Sequence, residues 1–310
     1  MVAKRFGVAG YQYELVRDWP KIEIKGVASD VACDSQGRAY VAVRHPVDGK
    51  PASIGPGTGT MLVFGRDGRL VGNWGDIFSA PHGLWISAED EVFHADTGFH
   101  VVTIHSTDGR IRSMLGTKGK PGSPGTPFNM PTRAKRGPNG DIFVSDGYGQ
   151  NRVHRFTRSG ELVLSWGAGD PVFYQQWAGQ PVTGKTGTGP GEFNLPHDVT
   201  VAADGRVFVM DRTNNRCQVF DTRGKYLAEW ADVRGPNDSF IDDASVMHIV
   251  SARGLELRTL DGGLVGRWGE KGGEPGQFAN SPHGVWIDPD GALYVAEVGG
   301  LNRLQKFARV

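Results

Sequence analysis

Apolar and polar positions alternate in short runs along almost the whole chain, and turn-forming residues separate the runs at regular intervals. The runs VFHAD, IFVSD, VFVMD and LYVAE are rich in β-branched and aromatic residues. Each follows an apolar run and a tight turn (EDE, PNG, ADG or PDG). Two further kinds of run come after, such as VHRF or CQVF and then ELVLSWG or GLVGRWG. Successive side chains of a strand point to opposite faces, and Gly, Asp and Asn accept the backbone angles of tight turns, so this pattern reads as strands joined by hairpins. It predicts four short strands per unit. With 46 glycines and 18 prolines, little room is left for long helices.

The unit recurs. Clear copies begin at Pro81, Met130, Leu195 and Ser281; a divergent first copy runs from Ala28 to Gly75, and a degenerate fifth from about Asp238 to Gly269. Four strands repeated at about 40 to 65 residues make a propeller blade rather than a solenoid helix pair. The expectation is an all-β, six-bladed β-propeller occupying residues 1–310 as a single domain. The last copy stops at RLQKFARV, without a fourth strand, while the N-terminal YQYELVRDWP matches the missing one (compare GELVLSWG). Residues near Tyr11 to Trp19 are therefore expected to close the last blade, which removes two exposed strand edges.

Charge and composition narrow the partners. Lys plus Arg and Asp plus Glu number 34 each, so nothing favours nucleic acid or an anionic membrane. The two cysteines, Cys33 and Cys217, lie in apolar runs and read as buried thiols. No apolar stretch has the length of a signal peptide core or a transmembrane span. The expectation is a cytoplasmic protein acting on a small molecule, with its oligomeric state left open.

The segments GPGEFNLPHDVTV, EPGQFANSPHGVWI, DGYGQNRVHRF and DRTNNRCQVF match the hallmarks of NHL repeats: an interblade G-x-G-x-F-x-x-P, an apolar strand, and D-x-x-N-x-R-[IV]-x-x-F. The resemblance spans nearly the whole chain and implies a propeller of the NHL type. It leaves function open, because such propellers include both enzymes and interaction platforms.

Of nine histidines, three follow a proline at the same place in the repeat: His82, His197 and His283. Ser29 and Thr132 hold that place in other copies. The place opens the innermost strand, which lines the channel, so side chains there converge on the axis. Copies two, four and six supply the histidines, giving near three-fold placement. Three imidazoles with an open fourth position describe a catalytic zinc site, and other divalent metals also suit nitrogen ligands. Near the end of the second strand the copies give Arg44, Asp96, Asp146, Asp211 and Glu297, the acids expected to cap turns. Arg44 and Arg212 stand where sibling copies have small residues, and guanidinium pairs suit a carboxylate. Tyr148 occupies the corresponding turn of the third copy.

Together the segments IFVSDGYGQNRVHRF, FNLPHDV, SPHGVWI, APHGLWI and VMDRTNNRCQVF resemble those of peptidyl-α-hydroxyglycine α-amidating lyases. The resemblance implies Zn²⁺ on His82, His197 and His283, with Tyr148 as catalytic base and Arg44 and Arg212 as active-site arginines. It implies lyase chemistry on a small carbinolamine or N-acyl-α-hydroxyglycine-like substrate: Tyr148 takes the hydroxyl proton, a carbonyl forms, and the nitrogen leaves as amide or amine. The family's Met-Pro-His-Asp is here Ser281-Pro282-His283-Gly284, which puts its structural Ca²⁺ in doubt, although Asp198 could substitute. A metal-dependent propeller hydrolase or lactonase, and a non-catalytic NHL scaffold, are the competing expectations. The long connection before the fourth blade holds Tyr174 and Trp177 and is expected to cover substrate or mediate contacts. It also contains a formal P-loop match ending at Lys185-Thr186, but the interblade motif GTGPGEF follows in place of the required helix.

Overall fold

The computed structural model describes residues 4–46, 57–122, 128–167, 186–279, 281–299, 301 and 303–310. Tyr174, Trp177 and the P-loop-like run through residue 185 lie outside them. Every regular element among the described residues is a strand, and no helix there is long and apolar enough to cross a membrane.

After β1 (Arg5–Val8) and β2 (Tyr11–Leu15), the chain builds its blades in order. Blade 1 is β3 (Val27–Cys33), β4 (Ala39–His45), β5 (Thr58–Phe64) and β6 (Leu70–Phe78). Blade 2 is β7 (Pro81–Ile86), β8 (Val92–Asp96), β9 (Val101–His105) and β10 (Ile111–Leu115). Blade 3 is β11 (Arg133–Arg136), β12 (Ile142–Asp146), β13 (Arg152–Phe156) and β14 (Leu162–Trp166). Blade 4 is β15 (Pro196–Val201), β16 (Val207–Asp211), β17 (Arg216–Phe220) and β18 (Tyr226–Ala231). Blade 5 is β19 (Asp238–Ile241), β20 (Val246–Ser251), β21 (Gly254–Thr259) and β22 (Leu264–Trp268). Blade 6 is β23 (Ser281–Ile287), β24 (Leu293–Val298) and β25 (Leu304–Arg309). Each is an antiparallel meander, and the six make the expected propeller.

The N-terminus completes the last blade as anticipated. β2 pairs with β25, with Tyr13 opposite Arg309 and Leu15 opposite Phe307. β1 then adds a fifth strand outside it, which the pattern did not predict because RFGV is too short to alternate visibly.

Burial explains the sequence rhythm. Strands β8, β12 and β16 are buried at every residue, because neighbouring blades cover both of their faces. The outer strands β10, β14 and β18 alternate less and stay largely exposed. Tryptophans near the blade rims lock one blade to the next. Trp74, Trp166 and Trp230 pack against Gly109, Gly224 and Gly262 in the outer hairpins of the following blades. Those glycines have φ of 87°, 74° and 90°, and any Cβ there would meet the indole. Trp19 repeats the contact on Gly68, so the N-terminal segment supplies both the strand and the lock that close the ring. Its ring also stands edge-on to Tyr294 at 4.9 Å. Trp19→Ala is expected to cost about 3–5 kcal/mol of unfolding free energy, read by denaturant melts. A cost below about 1 kcal/mol would show that closure does not need it.

Candidate metal centre and its surroundings

The innermost strands aim residues at the axis by means of a bulge. In blade 4, Pro196 lies opposite Asp211 and Asp198 opposite Met210, so His197 has no cross-strand partner. The same shift leaves out His283 between Pro282 and Gly284, His82 between Pro81 and Leu84, and Ser29 between Ala28 and Asp30. A bulged residue is re-aimed away from the ladder. Here it points into the channel, where alternate blades present imidazoles.

The three rings form a near-equilateral triangle. Their centroids are 4.9, 4.8 and 4.8 Å apart, and one potential ligand atom from each lies within 4.8 Å of the others. For tetrahedral coordination at about 2.0–2.1 Å the centroids would stand about 5.2 Å apart, so the residues fit a common ion with small adjustment. The intervening blades fix the tautomer. Nδ1 of His82 donates to the carbonyl of Thr132 at 2.8 Å, Nδ1 of His197 to that of Asn237 at 2.6 Å, and Nδ1 of His283 to that of Ser29 at 2.6 Å. A carbonyl only accepts, so each Nδ1 carries the proton and each Nε2 keeps its lone pair. All three imidazoles are held well below their ordinary pKa, first by burial. For His82 the charges of Arg133 and Arg44 follow, for His197 that of Arg212, and for His283 the neighbouring His82 and Arg133. Neutral imidazoles are the form that binds a metal.

Tyr148 faces the open side of this triangle. Its Oη lies 2.9 Å from Nε2 of His197 and 3.1 Å from Nε2 of His82. The ring is buried between Met130 and Leu195, whose φ angles of 66° and 63° lie in the left-handed region that non-glycine residues seldom adopt. Arg212 reaches the same phenol oxygen from Nη1 at 3.5 Å. The sequence reading set Arg44 level with the turn acids, but the register places Val43 there: Val43 lies opposite Ala28 as Asp211 lies opposite Pro196. Blade 1 has an apolar residue where blades 2, 3, 4 and 6 carry an acid, so Arg44 is the counterpart of Arg212. Arg44 is 5% exposed, its Nε has no hydrogen-bond partner among the described residues, and its charge reaches His82, His283 and Tyr148. Neither arginine has a carboxylate partner among the described residues.

The acids act as caps. Asp96 accepts from the backbone N–H groups of Ser79 and Ala80, Asp146 from Asn129, Asp211 from Asn194, and Glu297 from Ala279, each tying an interblade segment to its blade. His45 bonds the Lys25 carbonyl, His100 the Met130 N–H, His154 Asp146 and His248 Asp242; none joins the triad. Both cysteines are buried. Asp198, the candidate calcium ligand, is bound by Lys135 Nζ at 2.8 Å and by Ser239 Oγ at 2.6 Å.

Two features escaped the sequence reading. Asn237, from the degenerate fifth copy, is the carbonyl partner of His197. Arg133 and Lys135 put two charges on the channel wall from blade 3, tied to Asp30, Asp198 and Asp238. The signal for them was available in TRAKR, where sibling copies have Gly or Asp at the Arg133 place and mostly apolar residues at the Lys135 place.

Known proteins bear on this arrangement. The NHL repeat model matches residues 193–220, which include all of β15 to β17. NHL repeat-containing protein 3 of Homo sapiens is 31% identical over 316 residues, covering 95% of this chain and 84% of that protein. Peptidyl-alpha-hydroxyglycine alpha-amidating lyase 1 of Drosophila melanogaster is 29% identical over 272 residues, 77% of this chain but 47% of its own length. Among solved structures, a gluconolactonase from Xanthomonas campestris superposes with a TM-score of 0.64 at 14% identity, covering 100% of this chain and 96% of its own. A streptogramin B lyase does so at 0.60 and 14%, covering 99% and 98%. Identities that low speak for the propeller alone. Similarity to the human protein, by contrast, runs through all six blades at a level that reflects common descent, and the chain belongs to the NHL-repeat family.

Proposed function

We propose that this protein is a divalent-metal lyase, with zinc the metal, that cleaves the C–N bond of a small N-acyl-α-hydroxyglycine-like carboxylate. The observation that carries the reading is the pair Arg44 and Arg212 beside the triad. A guanidinium as buried as Arg44 is costly without a counter-charge, and a substrate carboxylate supplies one. Relatedness to amidating lyases supports the same reaction class.

A divalent ion on the triad supplies a Lewis acid for a hydroxyl or carbonyl oxygen. His82, His197 and His283 hold it through Nε2, and their Nδ1 bonds to Thr132, Asn237 and Ser29 keep those nitrogens aimed. Arg44 and Arg212 bind the substrate carboxylate and set the carbinol carbon beside Tyr148. Tyr148, acting as the phenolate, takes the hydroxyl proton at Oη as the C–N bond breaks. The C–O bond becomes a carbonyl, the C–N electron pair passes to nitrogen, and the proton is returned there. The products are a glyoxylate-type carbonyl acid and an amide, with no other reactant consumed.

The test is direct. Protein loaded with one equivalent of zinc is incubated with N-benzoyl-α-hydroxyglycine, and separately with an aliphatic lactone. Release of benzamide and glyoxylate, abolished by chelation and restored by zinc, is the expected result. Lactone opening without amide release would replace the lyase with a hydrolase. Failure to retain any divalent metal would remove both.

A further inference from the structure

Arg133 lies wholly out of water on the innermost strand of blade 3. Glycine or aspartate holds the same place in the other blades: Asp30, Gly83, Asp198, Asp238 and Gly284. The pattern makes steric sense. A Cβ on Gly83 would collide with Arg133 Cγ and the Thr132 carbonyl, and one on Gly284 with the Asp30 carboxylate. The two glycines therefore clear the axis for a guanidinium and its counter-ion. Asp30 and Asp238 flank the charge, at 2.8 Å from Nη2 and 3.1 Å from Nε.

The rest of the guanidinium faces the triad's supports. Nη1 donates to the carbonyl of Asn237 at 2.7 Å, and Nη2 to the carbonyl of His283 at 2.9 Å. The Asn237 carbonyl is the one that receives Nδ1–H of His197, and Nη1 itself stands 3.4 Å from that Nδ1. Asn237 Nδ2 in turn bonds the Pro282 carbonyl, so the segment before His283 is drawn into the same network. One planar fork thus spans the backbone of blades 5 and 6 at the two points that orient two ligands. Desolvating a guanidinium costs several kcal/mol, and apolar residues often replace buried ion pairs with no loss of stability. A purely packing role would not need this residue, whereas a rigid, always-charged fork suits the holding of two carbonyls at a set separation.

We propose that Arg133 is a positioning residue of the triad: by holding the carbonyls of Asn237 and His283 it sets the directions in which His197 and His283 present Nε2 to a metal ion. The inference rests on the metal reading above. Lys135 provides the comparison, since it belongs to the same buried network but bonds Asp198, Asp238, Thr200 and the Ser239 carbonyl, none of which touches an imidazole.

Zinc affinity, measured by competition with a chromophoric chelator, separates the roles. Arg133→Lys, which keeps the charge but loses the fork, is expected to weaken zinc binding about 10–100-fold, the range for loss of a partner that orients a ligand, while Lys135→Met lowers stability and leaves affinity within about twofold. Equal affinity in wild type and Arg133→Lys overturns the proposal. So does an equal loss in both variants, which would assign the effect to the charge network as a whole. A wild-type protein that binds no zinc removes the metal reading, and this proposal with it. Should Arg133→Lys fail to fold, Asp30→Asn takes its place: it keeps the guanidinium but removes one carboxylate that aims it, and is expected to weaken zinc at least about threefold. Unchanged affinity there is equally fatal.

Discussion

Alanine at position 197 is expected to lower zinc affinity by at least about a thousandfold and to reduce turnover to that of the metal-free protein. His197 is the best connected of the three proposed ligands. It donates to Asn237, approaches Arg133, and receives Tyr148 on its Nε2 side. Its removal leaves two imidazoles, and the remaining ring centroids, 4.8 Å apart, offer an ion only two nitrogens. The fold should survive, since the side chain lines the channel and adds no strand pairing. His45→Ala serves as control: that ring bonds the Lys25 carbonyl and lies outside the triad, so metal content and turnover should not change. Metal analysis after gel filtration, with competition titration, decides the matter. A His197→Ala protein that carries one equivalent of zinc at wild-type affinity would mean that the ion sits elsewhere.

Much of this centre could be read from residue order because a propeller converts a repeat position into a place in space. His82, His197 and His283 share one position, so symmetry alone brings them to the axis. The bulges that re-aim them were invisible, because a bulge appears only in the pairing of two strands. Ring closure was legible for the same reason as the triad: YQYELVRDWP repeats the outer-strand pattern, including the tryptophan that locks onto the next blade's glycine. Arg44 was found, but at the wrong level. Blade 1 lacks the acid that marks the end of the second strand in blades 2, 3, 4 and 6, and an alignment by charge slips by one residue where the ladder does not. Asn237 was missed because its contribution is a backbone carbonyl, which no residue type announces. Arg133 was missed although its neighbours carry glycine and aspartate at the same position, because its meaning depends on which blade's atoms reach across the axis. The pattern of what was missed is consistent: side chains at repeated positions are legible, while their supports, built from backbone and from contacts across blades, are not.

Tyr148→Phe removes one oxygen atom and is expected to lower kcat by about 10²–10⁴-fold, the usual contribution of a positioned acid–base group, with zinc content unchanged. The oxygen is the part of the side chain that hydrogen-bonds the triad, at 2.9 and 3.1 Å from two Nε2 atoms, while the ring stands edge-on to His82 and His197 and packs on Met130 and Leu195 in the same way with or without it. Stability should therefore move little, and KM should stay within a few-fold, because the proposed reaction assigns the carboxylate grip to Arg44 and Arg212. Arg44→Met provides the opposite profile: a large rise in KM, with metal retained. If the phenylalanine variant keeps kcat within about threefold of wild type, proton removal is not the task of Tyr148 and the reaction assigned above loses its base. If instead kcat falls while a lactone substrate is opened at the wild-type rate, the same metal centre performs hydrolysis without the phenol. In that case the arginines and the triad, rather than Tyr148, define what this family member does.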